Sequence, residues 1–263
     1  MAELVWLNGR LIPAGEAAIP IADRGFTLGD GLFETILLRA GQGQDVPAHF
    51  ARLAAGAALL RLAMPFNAQG MAAMLAETAA ANRLQDGGLR LTLTRGIGPR
   101  GLLPPDAPSP IVLITAFAPP ARPSGVRAII ASSITRDEAS PLSRLKTLNY
   151  LPNILARLEA RERGAEEAIL LNRAGRVAGA TIGNLMLKSG SLWLTPPVED
   201  GALPGIRRAR LLAAKAVREA PVSLEMLRNA SALCVSNVLA LRPVLELDGT
   251  SLPAAPVDEL AGI

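Results

Sequence analysis

Half of the 263 residues are hydrophobic and 19% are charged, the balance of a folded globular chain, which excludes intrinsic disorder. The length allows one large domain or two modest ones, and with only 3% aromatics the core must be built from small and branched aliphatics. The net charge of +4 is scattered without aromatic interleaving, which argues against nucleic-acid binding. Arginine far outnumbers lysine, and its planar fork suits capture of phosphate and carboxylate groups. The single cysteine, Cys234, lies in an apolar stretch and reads as a buried structural thiol. One cysteine and one histidine give no basis for a transition-metal site. The start Met1-Ala2-Glu3-Leu4 lacks the pattern of a signal peptide, and no apolar run approaches a membrane span, so a soluble, cytoplasmic protein is expected.

In chain order, residues 4–7 and 10–12 flank Asn8-Gly9, the signature of a tight hairpin. Residues 47–62 and 71–83 carry helical spacing. Leu89, Leu91 and Leu93 alternate with Arg90, Thr92 and Thr94, the period of a half-buried strand, and 111–117 reads as a more central one. Residues 1–117 are therefore expected to form an α+β domain, a sheet with two helices packed on it. The proline-rich stretch 118–125 is the predicted linker. Residues 126–263 form the second α+β domain, with strands at 126–132, 167–171 and 192–195. Leu151, Ile154, Leu155 and Leu158 place one apolar stripe on a helix that Gly164 can cap. A further helix is expected over 206–218 and a late hairpin at Asp248-Gly249. No internal repeat is visible.

Lys146 stands in Arg144-Leu145-Lys146-Thr147-Leu148-Asn149-Tyr150, without acidic neighbours and just ahead of the striped helix. A lysine desolvated and held there loses its proton more readily and can form a Schiff base. Taken alone, the same pattern fits a surface charge. Two more segments bear on the choice. One is Asp23-Arg24-Gly25-Phe26-Thr27-Leu28-Gly29-Asp30-Gly31-Leu32-Phe33-Glu34-Thr35, followed by His49-Phe50-Ala51-Arg52-Leu53. The other is Gly175-Arg176-Val177-Ala178-Gly179-Ala180-Thr181-Ile182-Gly183-Asn184-Leu185, followed by Leu203-Pro204-Gly205-Ile206-Arg207-Arg208. Together the three resemble, in order and over nearly the whole chain, the class IV aminotransferases. That pyridoxal-phosphate family includes branched-chain and D-amino acid aminotransferases and aminodeoxychorismate lyase.

The resemblance implies a two-domain α+β fold with pyridoxal 5′-phosphate between the domains, a small amino-acid-like carboxylate as substrate, and a homodimer. It makes Lys146 the catalytic residue, joined to the cofactor and then moving the Cα proton. Tyr150 resembles the tyrosine that hydrogen-bonds the cofactor's phenolate oxygen, with an ordinary amphipathic side chain as the alternative. Arg52 matches the phosphate-binding arginine; an exposed helix arginine is the alternative. Gly205-Ile206 opens a helix whose amides favour an anion, which assigns Ile206 to the cofactor. Arg207 stands where family members often carry threonine, and either replaces that contact or points away. Ser236-Asn237 resembles the second phosphate-side loop, assigning Asn237, and Asn184 belongs to the segment around Gly179. Arg100 falls where D-amino acid aminotransferases keep a carboxylate-binding arginine, though Leu102 replaces the partner histidine; a glycine-rich hairpin end fits the loop equally. Thr35 and Phe33 are candidates to line the substrate pocket, with core packing the alternative for Phe33.

Details at Arg95 to Gly101 and Ser236 to Val244 lean toward the lyase, which eliminates pyruvate to give 4-aminobenzoate. A branched-chain or D-amino acid aminotransferase is the alternative. So is a non-catalytic homologue, because Gly179 stands where the family's glutamate contacts the pyridine nitrogen and keeps it protonated. Another carboxylate, with Glu166 or Glu167 nearest in sequence, a weaker electron sink, or loss of turnover are the possible consequences. Reduced but real activity is expected, so Gly179→Glu should raise the transamination rate or the cofactor affinity. Unchanged kinetics, with another acid found at the nitrogen, would refute this.

Overall fold

The computed structural model describes residues 3–118 and 125–261, so the interior of the predicted 118–125 linker lies outside the described residues. The chain forms two compact units. The first holds residues up to 118 together with Lys146–Asn149, and the second holds the rest.

The first unit comprises β1 (Leu4–Leu7), β2 (Arg10–Pro13), α1 (Arg24–Leu28), β3 (Gly31–Arg39), β4 (Gln42–Gly43), α2 (Val46–Leu60), α3 (Ala68–Ala81), β5 (Gly87–Thr94) and β6 (Ile111–Phe117). Its six-stranded sheet runs in the order β2-β1-β6-β5-β3-β4. Asn8 and Gly9 both have positive φ, as the predicted β1–β2 hairpin requires. Strand alternation sorts the sheet into two faces. Leu32, Ile36, Leu89, Leu91 and Leu93 are buried on one. Phe33, Thr35, Arg90 and Thr92 share the other, since Phe33 faces Thr92 and Thr35 faces Arg90 in the β3–β5 register. Ahead of β3, the Asp23 carboxylate caps α1 through the Phe26 amide at 2.9 Å and accepts from Thr94 Oγ1 at 2.6 Å. Gly29 closes α1 in the left-handed region at φ 66, where glycine carries no Cβ penalty.

The second unit comprises β7 (Val126–Ile130), α4 (Leu151–Glu162), β8 (Glu167–Leu171), β9 (Val177–Ala180), β10 (Asn184–Ser189), β11 (Leu192–Thr195), α5 (Ile206–Ala213), β12 (Arg218–Glu219), α6 (Leu224–Arg228), β13 (Ala232–Ser236), β14 (Leu241–Leu247), β15 (Thr250–Ser251) and α7 (Asp258–Ala261). A nine-stranded sheet runs β12-β11-β10-β13-β14-β7-β8-β9, with β15 hairpinned onto β14 across Asp248-Gly249 as expected. Ile169, Leu185, Leu233 and Val244 form its central core. Cys234 is fully buried, and burial pushes its thiol up to about 12, which makes it the inert structural thiol expected. No helix among the described residues is long and apolar enough to cross a membrane.

Three expectations need correction. The helix predicted over 206–218 ends at Ala213, because the chain reverses through Lys215 at φ 57 and then pairs with β11 as β12. The strand predicted to Ser132 ends at Ile130, because the Ser132 and Ser133 amides turn to the Glu159 carboxylate. The apolar stripe on α4 does not face the core of its unit: Leu151, Ile154, Leu155 and Leu158 are exposed, and fully buried Ala156 and Ala160 pack against Ile129, Ala168 and Leu170. Small side chains let the helix backbone approach the sheet, and Gly164 ends the helix in the left-handed region as expected.

Glu159 anchors α4 to the end of β7. Burial favours its protonation, but the hydroxyls and amides of Ser133 and Ser132 outweigh this and lower its pKa from 4.5 to about 2. A carboxyl depressed on folding stabilises the fold above its unfolded pKa and loses that contribution as pH falls through the folded one. Thermal unfolding of the native protein and of Glu159→Gln should therefore differ at pH 7, with the native protein more stable. The gap should close between about pH 4.5 and 2. A gap independent of pH would show that the hydrogen bonds do not depend on the charge.

Candidate active site

Lys146 is one of three lysines in the chain, with Lys188 and Lys215. Lys188 is bound by Glu259 at 2.7 Å, and Lys215 is exposed at the end of α5. Lys146 is placed differently. The Phe33 amide donates to its carbonyl at 2.9 Å, the Leu148 amide donates to Gly31 O at 3.1 Å, and Thr147 bridges Leu32. Residues 146–148 thus lie along β3 like a short extra strand. The Lys146 side chain follows the Phe33 ring, with Nζ 4.2 Å from its centroid, and the Arg90 guanidinium carbon lies 3.8 Å from the same centroid. Each contact is worth about 1 kcal/mol, enough to select a rotamer but not to hold it against a stronger partner. Thr35 stands directly across from Arg90. Phe33, Thr35 and Lys146 are therefore brought together, with Phe33 both buried and against the lysine.

Arg52 is not an exposed helix arginine. Its Nε and Nη2 grip Glu34 at 2.8 and 2.6 Å, and His49 Nδ1 lies 2.7 Å from the same carboxylate. Burial favours a protonated Glu34, but Arg52 and His49 outweigh it and keep the carboxyl below its ordinary value. Removing Glu34 would leave this site without its counter-charge, a loss of about 3–5 kcal/mol for buried pairs.

Arg100 is exposed on a loop beside Leu102 and Leu103, each 84% exposed. Buried Arg24 shapes that loop by donating to the carbonyls of Gly101 at 3.0 Å and Leu102 at 2.7 Å. Asp30 in turn binds Arg24 at 2.9 Å and Arg95 at 2.7 Å.

In the second unit, Asn184, Ile206, Arg207 and Asn237 converge. Asn184 Nδ2 donates to Leu203 O at 2.8 Å, and a Cβ on Gly205 would overlap Asn184 Oδ1. Glycine therefore lets the chain pass close to Asn184 as it enters α5. That helix starts at Ile206 without a side-chain cap, which suits an external anion. Arg207 Nη2 donates to Val238 O at 3.1 Å and ties α5 to the following turn. Asn237 builds that turn itself: Oδ1 accepts from Leu239 and Ala240 at 2.9 and 3.0 Å, and Nδ2 donates to Ile182 O at 3.2 Å. Beside it, Ser236 Oγ is buried with no hydrogen-bond partner among the described residues. Tyr150 precedes α4 in this unit and lies close enough to Arg136 to oppose the depressing effect of burial on that guanidinium.

Gly179 sits on β9 where the β8–β9 register shifts, and an added Cβ would meet only Gly183 O, at 3.3 Å. Neither neighbouring glutamate is available to replace a missing acid. Glu166 is half exposed and paired with Arg127 at 2.6 Å. Glu167 is fully buried, and both of its oxygens are occupied. Oε1 accepts from the Ala168 and Thr181 amides and Thr181 Oγ1, while Oε2 faces Arg157 at 2.9 Å and Arg242. Those donors leave neither oxygen open to a further partner. The cluster of two guanidiniums and one carboxylate carries a net positive charge.

Residues 31–247 match the model of the family described as amino-transferase class IV. The chain belongs to the class IV aminotransferases. It is 33% identical to a D-alanine aminotransferase from Listeria innocua, covering 94% of this chain and 89% of that one. The crystal structure of 4-amino-4-deoxychorismate lyase from Pseudomonas aeruginosa superposes with a TM-score of 0.83 at 32% identity, covering 97% and 95% of the two chains. A branched-chain amino acid aminotransferase from Escherichia coli superposes at 0.91 with 25% identity, covering 98% and 91%.

This class IV aminotransferase is therefore a pyridoxal-phosphate-dependent enzyme with the α+β fold of its family. Its residues fit the cofactor's phosphate: an uncapped helix start, a glycine passage that a Cβ would block, and an unpartnered buried hydroxyl. At Gly179 there is no side chain to hold a proton. Glu34, Arg90 and Arg157 were given no site role from sequence, and the pairing of Glu167 with Arg157 and Arg242 was not foreseen. Only Glu34 left a signal there, within the motif preceding Arg52.

Proposed function

We propose that this enzyme acts on a small amino-acid-like carboxylate through Lys146 and leans toward aminodeoxychorismate lyase, releasing pyruvate to give 4-aminobenzoate. The observation that carries the reading is the lysine itself, pinned along β3 with its amine on the Phe33 ring. When bound, the cofactor supplies an electron sink for bond breaking at the substrate's Cα. Lys146 Nζ takes and returns the Cα proton, and Phe33 and Thr35 shape the surface beside it. The pairing of Arg52 with Glu34 orients that guanidinium for the phosphate. Ile206, Arg207, Asn184 and Asn237 form the second set of phosphate-side groups, and Ser236 Oγ joins them as a donor. Tyr150 would be the hydroxyl that holds the cofactor's phenolate oxygen. Gly179 leaves the ring nitrogen without the family's acid, so the sink is weaker and turnover slower.

Lyase chemistry is favoured by the Ser236-Asn237 turn and the Arg95–Gly101 loop, together with the likeness to the Pseudomonas lyase. The D-alanine aminotransferase likeness supports the second reading. A cytoplasmic homodimer belongs to this proposal, with the exposed α4 leucines as the surface a second copy would cover. Incubation of the holoenzyme with aminodeoxychorismate and no 2-oxo acid should release pyruvate and 4-aminobenzoate in equal amounts. If product appears only when an amino acceptor is added, the enzyme is an aminotransferase and the lyase reading is wrong.

A further inference from the structure

The chain has a single histidine, His49, and the chemistry above gives it no part. It stands three residues ahead of Arg52 on α2, which sets both side chains on one face of the helix, against β3. Between them lies Glu34, on the sheet face shared with Leu32 and Ile36 and directly across from Leu91. Among buried aliphatics a carboxylate has no water, so its charge is met by neighbouring donors alone. Arg52 meets it with the Nε–Nη2 edge of the guanidinium, at 2.8 and 2.6 Å, and His49 Nδ1 adds a second contact to Oε2 at 2.7 Å. A bare Nδ1 would set its lone pair against those of the carboxylate, so this nitrogen carries the hydrogen and donates. The side chains of Glu34 and His49 are each 1% exposed, and that of Arg52 is 11% exposed. The imidazole therefore has no surface for a ligand, and its influence passes through Glu34.

We propose that His49 is the positioning residue of the phosphate-binding arginine: it fixes the Glu34 carboxylate and shares that carboxylate's charge with Arg52. The proposal rests on the reading of Arg52 as a phosphate ligand. An arginine closed against a carboxylate forms a pair with no net charge, which is a poor receptor for an anion. A second donor on Oε2 draws part of the carboxylate's charge toward the imidazole, and more of the guanidinium's charge remains for the phosphate. The guanidinium is planar and rigid, so holding Glu34 by one edge turns the opposite edge, with Nη1, away from it. A carboxylate held by two residues keeps that direction fixed. The phosphate in turn competes with Glu34 for the guanidinium, so its binding strengthens the hydrogen bond that His49 donates. A histidine that only filled the core would not distinguish a phosphorylated ligand from its dephosphorylated form.

The test titrates apoenzyme, prepared from the holoenzyme, with pyridoxal 5′-phosphate and with pyridoxal, which lacks the phosphate. Coenzyme absorbance gives the dissociation constant of each. In His49→Leu the constant for pyridoxal phosphate should rise about tenfold, the effect of losing one charge-assisted hydrogen bond, with that for pyridoxal unchanged. His49→Asn, whose amide places a donor near the position of Nδ1, should restore native binding of both. Arg52→Gln should weaken pyridoxal phosphate selectively and by more than His49→Leu. Because the chain has one histidine, isotope labelling of histidine nitrogen reads His49 directly by NMR in the native protein, whether or not His49→Leu folds. Its Nδ1 should be protonated, and that proton should move downfield further with pyridoxal phosphate than with pyridoxal. Equal weakening of both ligands or native affinity in His49→Leu would overturn the proposal while leaving Arg52 its role. So would no recovery in His49→Asn, an unprotonated Nδ1, or equal shifts with the two ligands. If Arg52→Gln keeps the native preference for the phosphorylated ligand, the phosphate reading of Arg52 fails, and this proposal with it.

Discussion

Three residues, Lys146 to Leu148, are laid along the edge of β3, and the proposed chemistry depends on that placement. A lysine side chain has four rotatable bonds and a strongly hydrated head, so left to itself it samples solvent. Here the main chain of 146–148 is fixed by the Phe33 amide donating to Lys146 O, by the Leu148 amide donating to Gly31 O and by the pairing of Thr147 with Leu32. The side chain then has one aromatic surface to follow. The first unit supplies this surface because the alternation of β3 commits Leu32 and Ile36 to one face of the sheet and Phe33 and Thr35 to the other, while its edge beside residues 31–33 is left open for 146–148. The lysine is remote in sequence from β3, yet it belongs to the first unit.

Charge is distributed with similar economy. On the buried face of the same sheet, Glu34 neutralises Arg52, while Asp30 neutralises Arg24 and Arg95 and through Arg24 fixes a loop. In the second unit Glu167 serves two arginines at once, Arg157 and Arg242. Close approach around Asn184 depends on glycines 183 and 205, where a Cβ would overlap Ser236 O and Asn184 Oδ1.

Much of this was legible in the sequence, for physical reasons. The Asn8-Gly9 and Asp248-Gly249 hairpins are local: their turns need positive φ, and the residue types announce it. The strands around Leu91 and Ile114 are visible because burial on one or both faces leaves a periodic trace. The orientation of α4 was not legible. Its leucines have the spacing of a core stripe, but two alanines face the sheet, and spacing alone cannot tell a core face from one left for another surface. Nor could the sequence reveal that Arg90 meets Phe33, since that depends on the register between two strands more than fifty residues apart. Nor does the sequence show that the Asn237 carbonyl oxygen shapes its own turn by accepting from Leu239 and Ala240.

The central claim is that one lysine of three carries the cofactor. Borohydride reduction of the holoenzyme, followed by proteolysis and mass spectrometry, tests it directly. The account predicts one phosphopyridoxyl group per chain on the peptide containing Lys146 and none on those containing Lys188 or Lys215. A label on either of those lysines, or a coenzyme-saturated protein that traps none, would contradict it.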